Sequence, residues 1–360
     1  MIILHDSNGK PYYEAIEYYC EENNIQLEYY ESQIFIPTLK NIIKFLIGKK
    51  TDWHISKRLF RNLLFRLRVP FIKNETIIMG FAPHNFRILW YKQLLKKNNL
   101  IYHTSHPFWC DKSSFPLKYR FIDEYLEVKW KIFIQNKKLK IVCVTKTSKN
   151  SLNKCYSPTN VFQIFHTVDV NRFSNDLVKS HDENNTINII YVGKFLYQKG
   201  LDIIVELINR LDDKKYTFTF VGDGPYKKNI ENIFKRDNVN YLGWISDKNV
   251  LAKIYSEQDL FLNPSIKING WQELFGIVNI EAMASGLVVI ASKHVGPKEI
   301  ITNGFNGFLV EEKNINQYLD IIAAFNEKKM NEISQNAYNR AKEFQIDYIS
   351  NQWKDVLEKG

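Results

Sequence analysis

Two glutamates eight positions apart, Glu273 and Glu281, enclose the segment Leu-Phe-Gly-Ile-Val-Asn-Ile. With a helix opening near Gly276, Glu281 falls in its second turn and Glu273 in the loop before it. Ile277, Val278 and Ile280 precede Glu281, so this carboxylate belongs to a largely buried helix, where it is costly without hydrogen-bond donors. Ribose or sugar hydroxyls would supply them. The helix N-terminus at Gly276-Ile277-Val278 offers N–H groups and a positive dipole that suit a phosphate. A carboxylate pair also suits hydrolytic acid/base work, but spacing in sequence does not give separation in space.

Other polar groups sit where strands end. Ile189-Ile190-Tyr191-Val192 runs into Gly193-Lys194 and then Lys199-Gly200. A glycine there allows a sharp turn and close approach to a ligand. Lys194 and Lys199 would stand at the mouth of that turn, able to neutralise a diphosphate or simply to be solvated. Val221-Gly222-Asp223-Gly224-Pro225 makes a second tight turn at the end of the next strand.

These groups need elements to position them. Short apolar runs at Ile2–Leu4, Gln26–Tyr30, Thr76–Met79, Leu100–His103, Lys140–Val144 and Val161–Phe165 read as buried strands. Helical patterns such as Phe86–Lys97 and Lys118–Asn136 lie between them. Strands alternating with helices imply a parallel sheet covered on both faces. The polar stretch 171–186 reads as a linker, after which the alternation restarts. Strands are expected at 187–192, 216–221, 239–242, 260–262, 288–291 and 307–310. Helices are expected at 199–211, 226–234, 247–256 and 276–284, and a helical pattern covers 330–357. The fold class is therefore α/β, with two doubly wound domains. Residues 1–170 form the first, 187–335 the second, and 336–360 a C-terminal helical segment. Such domains bind ligands beyond the carboxyl ends of their strands.

Composition bounds the rest. The 360 residues suit two domains of ordinary size, and 45% apolar content suits globular cores. No run reaches the roughly 18 apolar residues of a spanning helix. Met-Ile-Ile-Leu-His-Asp lacks the basic region and cleavage site of a secretory signal. The four cysteines, Cys20, Cys110, Cys143 and Cys155, form no CxxC pair and read as reduced thiols of a cytosolic protein. The net charge of +10 is concentrated: residues 40–73 carry ten Lys/Arg against the single acid Asp52. Interleaved with leucine, isoleucine and phenylalanine, they suit an anionic membrane surface. An ordinary solvated helix face is the plain alternative; nucleic acid has no accompanying motif.

Residues 187–310 resemble the nucleotide-sugar-binding domain of the retaining GT-B glycosyltransferases of family GT4, the glycosyl transferases group 1. The resemblance rests on Glu273 and Glu281 in the setting E-x-F-G…E-A-x-A-x-G, on Lys194 and Lys199-Gly200 after the Val-Gly turn, and on Val-Gly-Asp-Gly-Pro (221–225), Leu-Gly-Trp-Ile (242–245) and Asp-Leu-Phe-Leu-Asn-Pro-Ser (259–265). His166-Thr-Val-Asp169 to Phe173 is similar to the entry to the second domain. The resemblance implies two Rossmann-like domains facing across a cleft, with the C-terminal helix returning to the first. It implies that Glu281 binds ribose hydroxyls and Glu273 the donor sugar. Lys194 and Lys199 would hold the diphosphate, helped by Gly193, Gly222, Ile245 and the backbone of Phe275, Gly276 and Ile277. His106, in Thr104-Ser105-His106-Pro107, matches a histidine facing the donor sugar. Gly9, in a loop with one glycine where the family often has several, would contact the acceptor. Lys194 stands where arginine is common, keeping charge without the bidentate fork. Leu274 replaces a commoner small residue.

The activity that the resemblance implies is retaining transfer of a sugar from a UDP- or GDP-sugar to a hydroxyl of a glycan or lipid-linked glycan. No cofactor is implied. The chain has no Asp-x-Asp motif, which argues against a metal-dependent GT-A enzyme. Attack from the front face, with no protein nucleophile, leaves catalysis to leaving-group stabilisation and positioning. A basic, apolar N-terminal segment suits an acceptor at the cytoplasmic face of the inner membrane, in capsule, O-antigen or other lipopolysaccharide and surface-polysaccharide assembly. A sugar-nucleotide epimerase and a non-catalytic binding partner are the competing readings.

Overall fold

The computed structural model describes residues 1–6, 12–32, 53–111, 115, 121–174, 186–268, 271–325 and 327–358. Contacts divide the chain into two compact units, Met1–Phe165 with Ser350–Gly360, and His166–Ile349. Gly9, the 40–50 part of the basic segment and most of the polar stretch 171–186 lie outside the described residues.

The first unit is a six-stranded parallel sheet of β1 (Ile2–His5), β2 (Glu28–Glu31), β3 (Thr76–Gly80), β4 (Asn99–Thr104), β5 (Lys140–Cys143) and β6 (Val161–Gln163), in the order β2-β1-β3-β4-β5-β6. β1 pairs on both sides, with Ile3 opposite Tyr29 of β2 and Ile78 of β3. The interior strands β1, β3 and β4 run apolar without alternation because both faces are covered, whereas the edge strands β2 and β6 are only partly buried. On β4, Leu100 and Tyr102 join a core with Trp109, Trp130 and Phe133. His103 points the other way, its ring 5.2 Å from Tyr13 and 5.5 Å from Trp353 of the terminal helix Ile346–Glu358. That helix is tied down by Lys140 Nζ donating to Val356 O at 2.8 Å and by Tyr19 Oη donating to Glu358 at 3.1 Å.

The second unit repeats the plan with β7 (Ile187–Val192), β8 (Tyr216–Val221), β9 (Val239–Gly243), β10 (Leu260–Asn263), β11 (Val288–Ser292) and β12 (Phe308–Val310). Its order is β12-β11-β10-β7-β8-β9, again parallel, so the strand order reverses between β7 and β10. Crevices at such reversals are where doubly wound sheets take ligands.

Each of the twelve expected strands is present, with ends shifted by up to two residues. The helices depart further. Phe86–Lys97 is a single α-turn, Ile88–Tyr91, followed by a 3-10 segment, and Tyr226–Phe234 is likewise split. The 330–357 pattern breaks at Lys342–Phe344 into two helices. Among the described residues, helices beyond the expected set are Glu14–Glu22, Lys146–Tyr156, Val170–Phe173, Val295–Ile300 and Ile315–Ala323. Lys146–Tyr156 buries only Ser148 and Leu152, and its Thr145 cap, whose hydroxyl accepts the Ser148 N–H at 3.1 Å, fixes its start.

The expectation of four reduced thiols fails at two of them. Cys110, after β4, is disulfide-bonded to Cys155 on the helix Lys146–Tyr156, with Cα atoms 5.4 Å apart. Forty-five residues separate them in sequence, and only the adjacency of β4 and β5 brings them together. Cys20 and Cys143 are buried free thiols, and burial pushes that of Cys143 up to about 12.

Candidate functional site

The site of the second unit is assembled from turns at the carboxyl ends of its strands. Gly193 N–H donates to Val221 O at 3.0 Å and Phe195 N–H to Asp223 O at 2.9 Å, so the turns after β7 and β8 run side by side. Gly222 has φ +135°, and a Cβ there would lie 1.9 Å from the Gly193 carbonyl oxygen. A side chain at 222 would force the two turns apart. Lys194 is exposed on this ledge, its carbonyl accepting from Tyr191 Oη at 3.0 Å.

Across the β7/β10 reversal, Lys199 Nζ donates to Glu273 Oε2 at 2.5 Å, with both side chains largely covered. The same ammonium lies 5.1 Å from the centre of the Trp271 ring. Gly276 follows in the left-handed conformation, φ +87°, and caps the helix Ile277–Ala284. Any Cβ at Gly276 would lie 2.5 Å from Asn279 Nδ2. The Phe275 ring turns inward, 5.0 Å from His166 and 6.1 Å from Phe344, so what Phe275 offers the site is its backbone. The first N–H groups of the helix, at Ile277 and Val278, lack intrahelical partners by construction and point out of its N-terminus.

Glu281 lies in this helix with 3% of its side chain exposed. Its carboxylate is met by the Lys248 ammonium. Lys248 begins the helix Lys248–Ser256, whose Asp247 cap accepts the Asn249 N–H at 2.8 Å. Partly buried Ile245 precedes it after β9. Three groupings therefore form on the carboxyl side of one sheet: Gly193, Lys194 and Gly222; Lys199, Trp271 and Glu273; Lys248 and Glu281.

Two of these partners escaped sequence reasoning. Lys248 is one lysine among many, and only the cap Asp247 hints that a helix start lies there. His294 receives the Glu273 N–H on Nδ1 at 3.0 Å, and nothing in the sequence links residues 21 apart.

His106 belongs to the first unit. Its backbone N–H donates to Thr104 Oγ1 at 3.1 Å, its carbonyl accepts from Ser148 Oγ at 2.6 Å, and Nε2 lies 3.2 Å from Phe108 O. Trp109 and Phe115 wall the ring, each about 5.3 Å away. Burial dominates and pushes its pKa down to about 4, so the imidazole is neutral at pH 7. Elsewhere in the first unit, at the β1/β3 reversal, Asp6 accepts from Ser32 Oγ at 2.6 Å and Ala82 N–H at 3.0 Å and pairs with Arg87 at 3.4 Å.

Two lysines, a helix N-terminus and two covered carboxylates on one sheet edge fit a ligand that is both anionic and rich in hydroxyls. Residues 174–343 match the family model described as glycosyl transferases group 1. A Klebsiella pneumoniae protein described as an uncharacterized 41.2 kDa protein in the cps region is 30% identical over 265 residues, spanning 69% of this chain and 70% of its own. A putative colanic acid biosynthesis glycosyltransferase of Escherichia coli K12 is 28% identical over 174 residues, 46% of this chain and 42% of its own. The crystal structure of Anabaena Alr3699/HepE in complex with UDP superposes with a TM-score of 0.66 at 16% identity, covering all of both chains. The two six-stranded Rossmann-like sheets are those of the GT-B class. On this match the chain belongs to the glycosyl transferases group 1.

Proposed function

We propose that the chain is a retaining, GT4-type transferase that moves a sugar from a UDP- or GDP-sugar to a hydroxyl of a glycan or lipid-linked glycan. The observation that carries this reading is the Lys199–Glu273 pair beside the open N-terminus of the helix that holds Glu281. A diphosphate laid on that N-terminus meets the helix dipole and Lys199, with Lys194 on the neighbouring ledge. The sugar then lies toward Glu273 and the ribose toward Glu281, where hydroxyls join Lys248 as hydrogen-bond donors to the buried carboxylate.

The acceptor hydroxyl oxygen bonds to the anomeric carbon as that carbon's bond to the diphosphate oxygen breaks on the same face, and the hydroxyl proton passes to the departing diphosphate oxygen. Preorganised positive charge stabilises the departing diphosphate, so no divalent cation is required. His106, neutral at pH 7, contributes hydrogen bonding rather than charge. Assembly of a capsule or similar surface polysaccharide is supported by the cps-region and colanic acid relatives.

The acceptor is proposed to be held at an anionic membrane surface. On the helix Trp53–Arg68, Arg61 donates to Tyr29 O at 3.0 Å and Arg58 pairs with Glu31, while Phe60, Leu63, Leu64 and Leu67 face outward, each at least 43% exposed. Among the described residues no helix is long and apolar enough to cross a membrane. Insertion of that apolar face, with Lys57 and Arg68 beside it, matches interfacial binding.

The test is a panel of UDP- and GDP-sugars assayed in EDTA for release of nucleoside diphosphate with a lipid-linked glycan acceptor. Acceptor-dependent release of one diphosphate, with a product of unchanged anomeric configuration, is expected. Product formed without acceptor, or no turnover of any donor, contradicts the reading. Sedimentation with phosphatidylglycerol vesicles should fall on replacing Phe60, Leu64 and Leu67 by serine; unchanged sedimentation removes the membrane part.

A further inference from the structure

Glu273 is gripped through its backbone by the turn that follows β11. His294 Nδ1 accepts the Glu273 N–H at 3.0 Å, and Gly296 N–H donates to the Glu273 carbonyl at 3.1 Å. The His294 side chain is 1% exposed, and its Nε2 faces Glu312 Oε1 at 3.1 Å. Glu312 is itself fixed, because Oε2 accepts the Lys267 N–H at 2.8 Å. A ring nitrogen that accepts an N–H carries no proton. The imidazole is therefore the neutral tautomer with its hydrogen on Nε2, which has the Glu312 carboxylate as an electrostatic neighbour at 3.1 Å but makes no directed hydrogen bond to it.

We propose that His294 is a positioning residue for the donor sugar: its unprotonated Nδ1 holds the Glu273 loop so that the Glu273 carboxylate meets the sugar. This rests on the reading of Glu273 as the group that contacts the donor sugar. The arrangement explains a buried histidine with no ligand-facing atom. Nδ1 grips the loop that carries Glu273 and Phe275, and Nε2 lies beside the Glu312 carboxylate. Lys199, drawn to Glu273 from the far side, completes the setting.

The same geometry makes the grip pH-dependent. The charged groups that face His294 are Glu312 and Glu273, which favour its protonation, and Lys199, which opposes it. Burial outweighs them and holds the ring below the ordinary histidine range. As pH falls through that lowered value, a proton on Nδ1 would oppose the Glu273 N–H, and the grip is lost.

The experiment compares His294→Ala, His294→Asn, His294→Gln and Glu273→Ala on the nucleotide sugar that the wild type turns over from the UDP-/GDP-sugar panel. Asparagine can place Oδ1 where Nδ1 accepts; glutamine and alanine cannot. His294→Ala and His294→Gln should raise the donor KM about tenfold, the worth of one net hydrogen bond, while His294→Asn stays within about threefold of wild type. Affinity for the bare nucleoside diphosphate, measured by calorimetry, should be unchanged in all three, which a merely structural role would not spare. The wild-type donor KM should rise as pH falls below the ordinary histidine range, and that rise should be smaller in His294→Asn. The proposal is overturned if asparagine and glutamine variants are kinetically alike, if bare diphosphate binding falls as much as that of the sugar nucleotide, or if His294→Asn keeps the same acid limb. The asparagine–glutamine comparison decides it should His294→Ala not fold. Wild-type turnover by Glu273→Ala would instead overturn the role of Glu273 itself.

Discussion

The two units share a sheet plan, yet their polar groups are held in opposite ways. In His166–Ile349, Glu273 and Glu281 are each matched by a lysine ammonium beside a helix N-terminus. In Met1–Phe165, His106 is enclosed by Trp109 and Phe115 and kept neutral by burial, and Asp6 is saturated by Ser32, Ala82 and Arg87. The first arrangement is a charge-compensated ledge on which an anion can replace or join existing partners. The second holds a buried neutral imidazole between aromatic rings and, apart from it, a carboxylate already satisfied by Arg87 and two further donors.

The largest effect that would break this comparison is at the ledge. Lys199→Ala or Glu281→Ala should lower turnover by about 10²-fold or more, as loss of a preorganised charged partner does, while circular dichroism stays native. Full activity in both variants removes the site assignment. Next is His106→Ala, expected to lower transfer by up to roughly 10²-fold without altering nucleotide affinity. The same histidine gives a signed pH effect. Its folded pKa of about 4 lies below the ordinary 6.5, so the unfolded chain binds the extra proton first. Stability should fall as pH drops from about 6.5 to about 4, and His106→Phe should flatten that segment of a thermal denaturation profile.

Smaller effects sharpen the comparison. Lys248→Ala leaves the Glu281 carboxylate buried without its cation, at a cost of about 1 kcal/mol, discounted because Lys248 is half-exposed. That is roughly 2–4 °C in Tm, and saturating nucleoside diphosphate should shrink the deficit by supplying hydroxyls in place of the lysine. An equal deficit with nucleotide bound would show that Glu281 never meets the ribose. Asp247→Ala should cost about 1 kcal/mol by loss of its cap and weaken nucleotide binding only through Lys248, as thermal melts and titration would show.

How much of this was legible in the sequence differs between the units for the same physical reasons. Strands buried on both faces write themselves as apolar runs, which is why interior strands such as β3, β10 and β11 were readable. The helix Lys146–Tyr156 was not, because it buries two side chains and depends on a Thr145 cap rather than on periodicity. Gly193, Gly222, Gly276, Lys199, Glu273 and Glu281 stand at strand ends and a helix start that local sequence marks. Lys248, His294 and the Cys110–Cys155 bond depend on contacts 33, 21 and 45 residues apart, and no local pattern encodes them.

The central claim, that the nucleotide is bound by the lysine-compensated ledge of the second unit alone, is tested most directly by calorimetric titration of UDP and GDP into wild type, Glu281→Ala and His106→Ala. The account predicts that wild type binds one of the two, that His106→Ala binds it equally well, and that Glu281→Ala weakens it at least about tenfold, the loss of a charged hydrogen-bond partner. Wild-type affinity in Glu281→Ala together with a loss in His106→Ala would contradict it.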